Sequence, residues 1–338
     1  MKAVALHSYL PIDDPKSLVD VDVLKPVPGP RDLLVHVEAI SVNPVDTKVR
    51  RSKAGQTASE PRVLGWDVAG VVKAIGSQVS LFRPGDEVFY AGSITRPGGN
   101  SEYHCVDERI VGNKPATLTF AEAAALPLTA ITAWEALFDR LGIDDSGAFQ
   151  GRSILIIGGA GGVGSIGIQL AKLVGLKVIT TASRPETRAW CESMGADHVV
   201  NHAEPLPAQL TALGFSDVDY IANFADTDAY WAAMAEMIRP QGRIVSIVEN
   251  EHALDLDLLK SKSATFVWEF MFTRAMYGTA DMQAQHELLD TVAELVAAGR
   301  LRTTLTETLS PINAANLRTA HARLESGRTI GKLVLSGW

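Results

Sequence analysis

From residue 1 to about 110, apolar residues come in short β-type runs separated by turns. Residues 33–39 read Leu-Leu-Val-His-Val-Glu-Ala and 70–75 read Gly-Val-Val-Lys-Ala-Ile, with turn signals at Pro28-Gly29-Pro30 and Arg83-Pro84-Gly85-Asp86. Such runs bounded by Pro and Gly predict an irregular, mostly antiparallel β domain. From about 120 the texture changes to apolar runs alternating with helical spacing. Residues 153–157 (Ser-Ile-Leu-Ile-Ile) form a buried strand, and 162–174 a helix with Ile166, Leu170 and Leu173 on one face. Strands follow at 177–182, 198–200, 218–222 and 243–248. Helices are expected at 185–194 and 228–238, the first with Pro185 in its opening turn, where the missing N–H costs nothing. Strands alternating with helices need crossover connections, which predicts a doubly wound parallel sheet. An amphipathic helix at 284–298, ended by Gly299, precedes a final apolar run at 331–335. That last strand returns to the first domain, so the parallel-sheet domain is an insert and a cleft lies between the two.

Composition narrows the function. The chain has 338 residues, 46% of them hydrophobic, a formal charge of −8 and two cysteines. Disordered and collagen-like classes are excluded. Two cysteines build neither a disulfide framework nor a four-thiolate zinc knot, and a reducing cytoplasmic setting is expected. No Lys/Arg block offers a footprint for nucleic acid or anionic lipid. The acidic pair Asp13-Asp14 arrives before any run long enough for a signal peptide. Residues 153–171 carry no charge, but six glycines (158, 159, 161, 162, 164 and 167) make a membrane helix costly there.

The glycines carry the first chemical signal. Gly159-Ala160-Gly161-Gly162-Val163-Gly164 fits G-x-G-x-x-G directly after a strand and opening a helix. A turn without side chains lets the backbone approach a pyrophosphate, whose charge meets the helix N-terminus. Glycines also serve tight turns and close packing; the strand before and the second strand after favour dinucleotide binding. In NAD-binding versions a carboxylate about 20 residues on accepts the ribose hydroxyls. Here the second strand ends in Ala182-Ser183-Arg184. A hydroxyl and a guanidinium suit a 2′-phosphate, so NADP(H) is expected over NADH. The alternative is that Arg184 is a solvated surface cation.

With these residues in place, the chain resembles the medium-chain dehydrogenase/reductase superfamily and within it the quinone oxidoreductase group, including zinc-type alcohol dehydrogenase-like proteins. The resemblance spans the whole length. It rests on Val42-Asn43-Pro44-Val45-Asp46, Gly65-Trp66-Asp67-Val68-Ala69-Gly70, Pro84-Gly85-Asp86-Glu87-Val88, Leu126-Pro127-Leu128-Thr129-Ala130 with Trp134, and the glycine loop. It implies an α/β chain with a GroES-like β-rich catalytic domain (1–126 and 267–338), a doubly wound Rossmann domain (127–266), and a nicotinamide in the cleft. A homodimer is also implied, through the strand near Thr265.

The zinc enzymes of the superfamily take ligands from Cys-His-x-Asp and Gly-His-Glu segments. In this chain Asn43 stands for the thiolate and Trp66 for the imidazole, and the four-cysteine lobe is missing. Indole cannot ligate and amides are poor zinc ligands, so no metal is expected. His198 and His202 lie at a strand and its exit, roughly 13 Å apart if extended. Adjacent His104 and Cys105 point opposite ways on a strand. Cys105 and Cys191 read as small buried residues.

Without a Lewis acid, reduction of a conjugated acceptor is easier than alcohol oxidation, because the developing charge spreads onto an oxygen that hydrogen bonds stabilise. The expected activity is NADPH-dependent reduction of quinones or α,β-unsaturated carbonyls. Asn43 matches the family position near nicotinamide and substrate, where its amide would donate to an oxyanion; an Asn before proline equally suits a turn. Lys48 replaces a family tyrosine and either assists protonation or is a solvated charge. Asp46 and Asp67 are expected to position loops. The resemblance also assigns Thr132 to the nicotinamide and the backbone of Gly162 and Val163 to the pyrophosphate. It sets His202 beside the adenosine phosphate, Asn223 and Phe224 at the ribose, and Lys332 close to the cleft. Residues 267–272 are expected to line the substrate space as an apolar, bulky wall. Two alternatives stay open: a zinc-dependent alcohol dehydrogenase with unrecognised ligands, and a low-turnover NADPH-binding redox sensor or structural protein.

Overall fold

The computed structural model describes residues 1–338. They form two compact units, Met1–Leu128 with Phe272–Trp338, and Thr129–Met271.

In the first unit a seven-stranded sheet is built around β1 (Asp32–Ser41). Antiparallel β2 (Val68–Ile75) and Tyr103–Asp107 pair with it, and so does the C-terminal strand Lys332–Ser336, with Leu335 opposite Ile40. The final strand thus returns to the first unit, as its apolar run implies. Gly70 on β2 is required by the close approach of β1: a Cβ there would sit 2.1 Å from the His36 carbonyl oxygen. Leu33, Val35, Val37, Ile40, Val68, Val72 and Leu335 are fully buried around this sheet. Burying such side chains stabilises the fold by about 1.5–3 kcal/mol each. The helix α1 (Pro44–Arg51) follows β1 directly. Neither it nor the helix Ala314–Glu325 is among the elements predicted from the sequence.

The second unit holds six parallel strands: β3 (Ser153–Ile157), β4 (Lys177–Thr181), β5 (His198–Val200), β6 (Val218–Asn223), β7 (Ile238–Ser246) and β8 (Thr265–Trp268). Their order in the sheet is β5-β4-β3-β6-β7-β8. The order reverses between β3 and β6, and in doubly wound sheets ligands bind at the carboxyl ends of the strands flanking that reversal. All five residues of β3 are buried, as its continuous apolar run requires for a central parallel strand. Helix α2 (Gly162–Leu173) leaves β3 through the glycine loop, and α3 (Pro185–Ser193) follows β4. Strand β7 begins at Ile238, not at 243. Its pairing with β6 jumps from Val218↔Ile238 to Tyr220↔Arg243, an irregularity in register that spans Pro240-Gln241-Gly242, with Gln241 at φ 61°. No helix is long and apolar enough to cross a membrane.

Candidate functional site

Two constellations carry chemistry, one in each unit. In the first, β1 ends at Ser41 and the chain turns into α1 through Val42 and Asn43. The Asn43 N–H donates to Asp46 Oδ2 at 2.7 Å, so the first turn is closed by its own third residue. The Asn43 side chain lies 1% exposed. Its Nδ2 donates to the Trp66 carbonyl (3.1 Å) and to Asp67 Oδ2 (2.8 Å). From the far end of the chain comes Lys332, whose Nζ donates to the Val42 carbonyl (3.0 Å), to Asn43 Oδ1 and to Asp67 Oδ2 (2.9 Å). Asp67 Oδ1 accepts from the Leu128 N–H at 2.7 Å.

This arrangement alters the expectation for Asn43. Both of its amide protons are spent inside the protein and its oxygen faces an ammonium, so in this geometry none is left for a developing oxyanion. Asn43 here ties α1 to the 66–67 segment. Lys332 is likewise saturated by three acceptors, the full donor capacity of an ammonium. Burial raises the pKa of Asp67, against the lowering effects of Lys332 and of its hydrogen bonds. Asp46 is pushed up to about 7, chiefly by burial, partly offset by the Asn43 N–H and by Lys332. Lys48 lies half-buried on α1. The Trp66 indole Nε1 donates to the Ser93 carbonyl at 3.2 Å, and its ring packs edge-on against Phe272.

The second constellation is the glycine loop. Gly158 (φ 90°) starts the turn, and its N–H donates to Thr181 Oγ1 at 2.9 Å, pinning the loop to the end of β4. The three fingerprint glycines are needed for different reasons. A Cβ on Gly159 would collide with Thr180 Oγ1 at 1.9 Å, and one on Gly164 would lie 2.2 Å from the Gly158 carbonyl oxygen. Those two glycines serve packing. A Cβ on Gly161 would meet only the Gly158 oxygen, at an ordinary 3.5 Å. Nothing inside the protein demands glycine at this position, the N-cap of α2. A reason for it lies outside the chain, where a phosphate group would approach the helix N-terminus.

No carboxylate ends β4. Ser183 there is exposed and the half-buried Arg184 pairs through Nε with Glu186 Oε1 at 3.2 Å. Asn223, at the end of β6, is fully buried, and its Nδ2 donates to the Asp226 carbonyl (3.0 Å) and to Ser246 Oγ (3.2 Å). Its amide therefore builds its own loop and does not face out towards a ribose. Phe224 lies over Gly158 and Gly167. His202 is exposed in the turn after β5, and Thr132 is buried in the helix Pro127–Trp134.

One buried group escapes sequence reasoning. Glu269, in the supposedly apolar 267–272 stretch, is 2% exposed and pairs with Arg140 Nε at 2.7 Å. Burial, then the neighbouring Glu135, push its pKa up to about 9. Glu135 and Arg140 bracket a π-helical turn, Glu135–Arg140, after the helix Pro127–Trp134. The one signal in the sequence is an acid set between Trp268 and Phe270.

Comparison with known proteins agrees with this architecture. Residues 29–134 match the alcohol dehydrogenase GroES-like domain, and 194–335 the zinc-binding dehydrogenase domain. A zinc-type alcohol dehydrogenase-like protein of Staphylococcus aureus strain MSSA476 is 46% identical over 337 residues, covering 99% of this chain and 100% of that protein. A crystal structure of a protein from Rhizobium etli CFN 42, designated a zinc-dependent alcohol dehydrogenase, is 54% identical with a TM-score of 0.95, covering 100% and 98% of the two chains. Escherichia coli quinone oxidoreductase complexed with NADPH is 25% identical with a TM-score of 0.83, covering 99% and 100%. The chain is an α/β enzyme with a GroES-like domain and a Rossmann-type parallel-sheet domain, and it belongs to the quinone oxidoreductase group of the medium-chain dehydrogenase/reductase superfamily.

Proposed function

We propose that this protein is a zinc-independent, NADPH-dependent reductase of quinones or α,β-unsaturated carbonyls. The observation that carries this reading is the closure of Asn43, Asp67 and Lys332 on one another. The resemblance puts metal ligands at Asn43, Trp66 and Asp67, and these residues do not fit a zinc ion. The indole has no lone pair to give, the amide oxygen faces Lys332, and the Asp67 carboxylate is already neutralised by an ammonium at 2.9 Å. No group of three or more His, Cys, Asp or Glu side chains is gathered elsewhere to hold a metal.

A bound reduced nicotinamide supplies the hydride. The chain's own contribution starts at the open Gly161 and the α2 N-terminus, which receive the pyrophosphate. Arg184 and Ser183 favour a 2′-phosphate, since the tip of β4 carries a hydroxyl and a guanidinium and no carboxylate. When hydride reaches a conjugated carbon, charge gathers on the substrate oxygen and a proton must follow. Lys48, half-buried on α1, is the residue proposed to give it. Asn43 and Asp46 hold the first turn of α1 and so fix where Lys48 stands.

The test is NADPH oxidation by a panel of quinones, enals and enones, set against alcohol oxidation with NADP⁺, each with and without chelator. Chelator-insensitive reduction is expected, with Arg184→Ala weakening NADPH use and sparing NADH. Alcohol oxidation that needs stoichiometric zinc would overturn the reading in favour of a metal-dependent dehydrogenase. Tight NADPH binding with no turnover would assign the protein to a sensing or structural role.

A further inference from the structure

Arg184 and Glu186 flank Pro185 at the opening of α3. Their pairing lies at the same end of the sheet as the glycine loop, because Thr181, which ends β4, receives the Gly158 N–H. The backbone between them is fixed. The Arg184 N–H donates to Thr187 Oγ1 (3.1 Å), and that hydroxyl donates back to the Arg184 carbonyl (2.8 Å). Arg184 is 27% exposed and Glu186 56%, so the guanidinium is partly sheltered while the carboxylate reaches into solvent.

We propose that Glu186 sets the preference between phosphorylated and unphosphorylated dinucleotide, by competing with the 2′-phosphate for Arg184. This rests on the dinucleotide reading of the glycine loop and deepens it. Glu186 is the first carboxylate after β4. In NAD-specific sheets a carboxylate near this strand end accepts the ribose hydroxyls. Here the acid is set beyond Arg184 and is engaged with it. A 2′-phosphate must displace Glu186 from the guanidinium and also tolerate the carboxylate's like charge. An unphosphorylated ribose leaves the ion pair intact and presents hydroxyls that a carboxylate can accept. The pair therefore serves both nucleotides and holds discrimination below what Arg184 alone would give.

The size of the effect follows from the exposure of the pair. Exposed ion pairs are weak, so removing the Glu186 contact to Arg184 is expected to change relative affinity by about two- to fivefold. Dissociation constants for NADPH and NADH, measured on the wild type, Glu186→Gln and Arg184→Met by quenching of protein fluorescence, test it. Glu186→Gln is expected to raise the ratio of NADPH to NADH affinity by about two- to fivefold, and Arg184→Met to lower it. A ratio that is unchanged or lower in Glu186→Gln overturns the role of Glu186. If the wild type and both variants bind neither nucleotide, the dinucleotide reading itself fails, a separate result. Glu186 is exposed, and an unchanged circular dichroism spectrum checks that Glu186→Gln folds normally.

Discussion

Lys332 Nζ lies 2.9 Å from Asp67 Oδ2, across 265 residues of sequence, with neither side chain more than 4% exposed. A buried carboxylate at this depth needs a partner, and the partner arrives on the last strand of the fold. Removing one member of such a pair leaves an uncompensated buried charge, which typically costs about 3–5 kcal/mol. Lys332→Met is therefore expected to lower the urea midpoint sharply. The double variant Asp67→Asn/Lys332→Met should recover much of that loss, because an amide needs no counter-charge. If the double variant is as unstable as Lys332→Met alone, the pair is not what holds the 66–67 segment to the C-terminal strand.

The glycine loop separates stability from binding. Gly164→Ala puts a Cβ 2.2 Å from a backbone carbonyl oxygen that cannot rotate away, so it should destabilise the second unit by about 1–3 kcal/mol. Gly161→Ala meets only an ordinary contact and should cost no more than about 1 kcal/mol, through a poorer helix cap. Nucleotide affinity should nevertheless fall in Gly161→Ala. Thermal unfolding and nucleotide titration of the two variants check this, and equal stability losses would contradict it.

On the alkaline side Glu269 contributes, beside the half-buried Cys105 and buried Cys191 thiols, whose pKa values burial also raises. The folded pKa of Glu269, about 9, lies above the unfolded value near 4.3, so the folded chain binds the extra proton between these limits. Stability contributed by this group is complete below the unfolded pKa and drains as pH rises towards 9, by at most about 1.4 kcal/mol per pH unit. Glu269→Gln mimics the protonated form and keeps a hydrogen-bonding group beside Glu135. Between pH 7 and 10 its urea midpoint should fall less than that of the wild type. Parallel profiles would show that the pair with Arg140 holds Glu269 ionised instead.

On the acid side His321 contributes, together with the buried His104, whose pKa burial pushes down to about 4. His321 is fully buried on the helix Ala314–Glu325, neither ring nitrogen has a hydrogen-bond partner, and burial followed by the Arg50 charge pushes its pKa down to about 3. The unfolded chain takes up a proton near pH 6.5 and the folded chain does not, so stability is lost as pH falls from 6.5 towards 3. His321→Phe should flatten that limb, as read from urea midpoints at pH 4 and 7; an equally steep fall in the variant would remove His321 from the account.

The sequence by itself determined the strand–helix alternation of the second unit, the position of the glycine loop and the presence of a last strand. Each of these rests on local signals: the solid apolar run of β3, the glycines that follow it, and an apolar run at 331–335. Short-range physics decides them, because backbone conformation and burial pattern are written residue by residue. Only the tertiary structure decided what the polar residues do. The resemblance gives Asn43 and Asn223 ligand-facing roles, with a turn before proline as the other reading of Asn43, and in the fold both amides are turned inward to satisfy buried groups. Lys332 meets Asp67, and Glu269 meets Arg140 inside a stretch that reads as plain apolar wall. A hydrogen-bond or charge partner lies wherever the fold brings it, and no period in the chain records a neighbour that is hundreds of residues away.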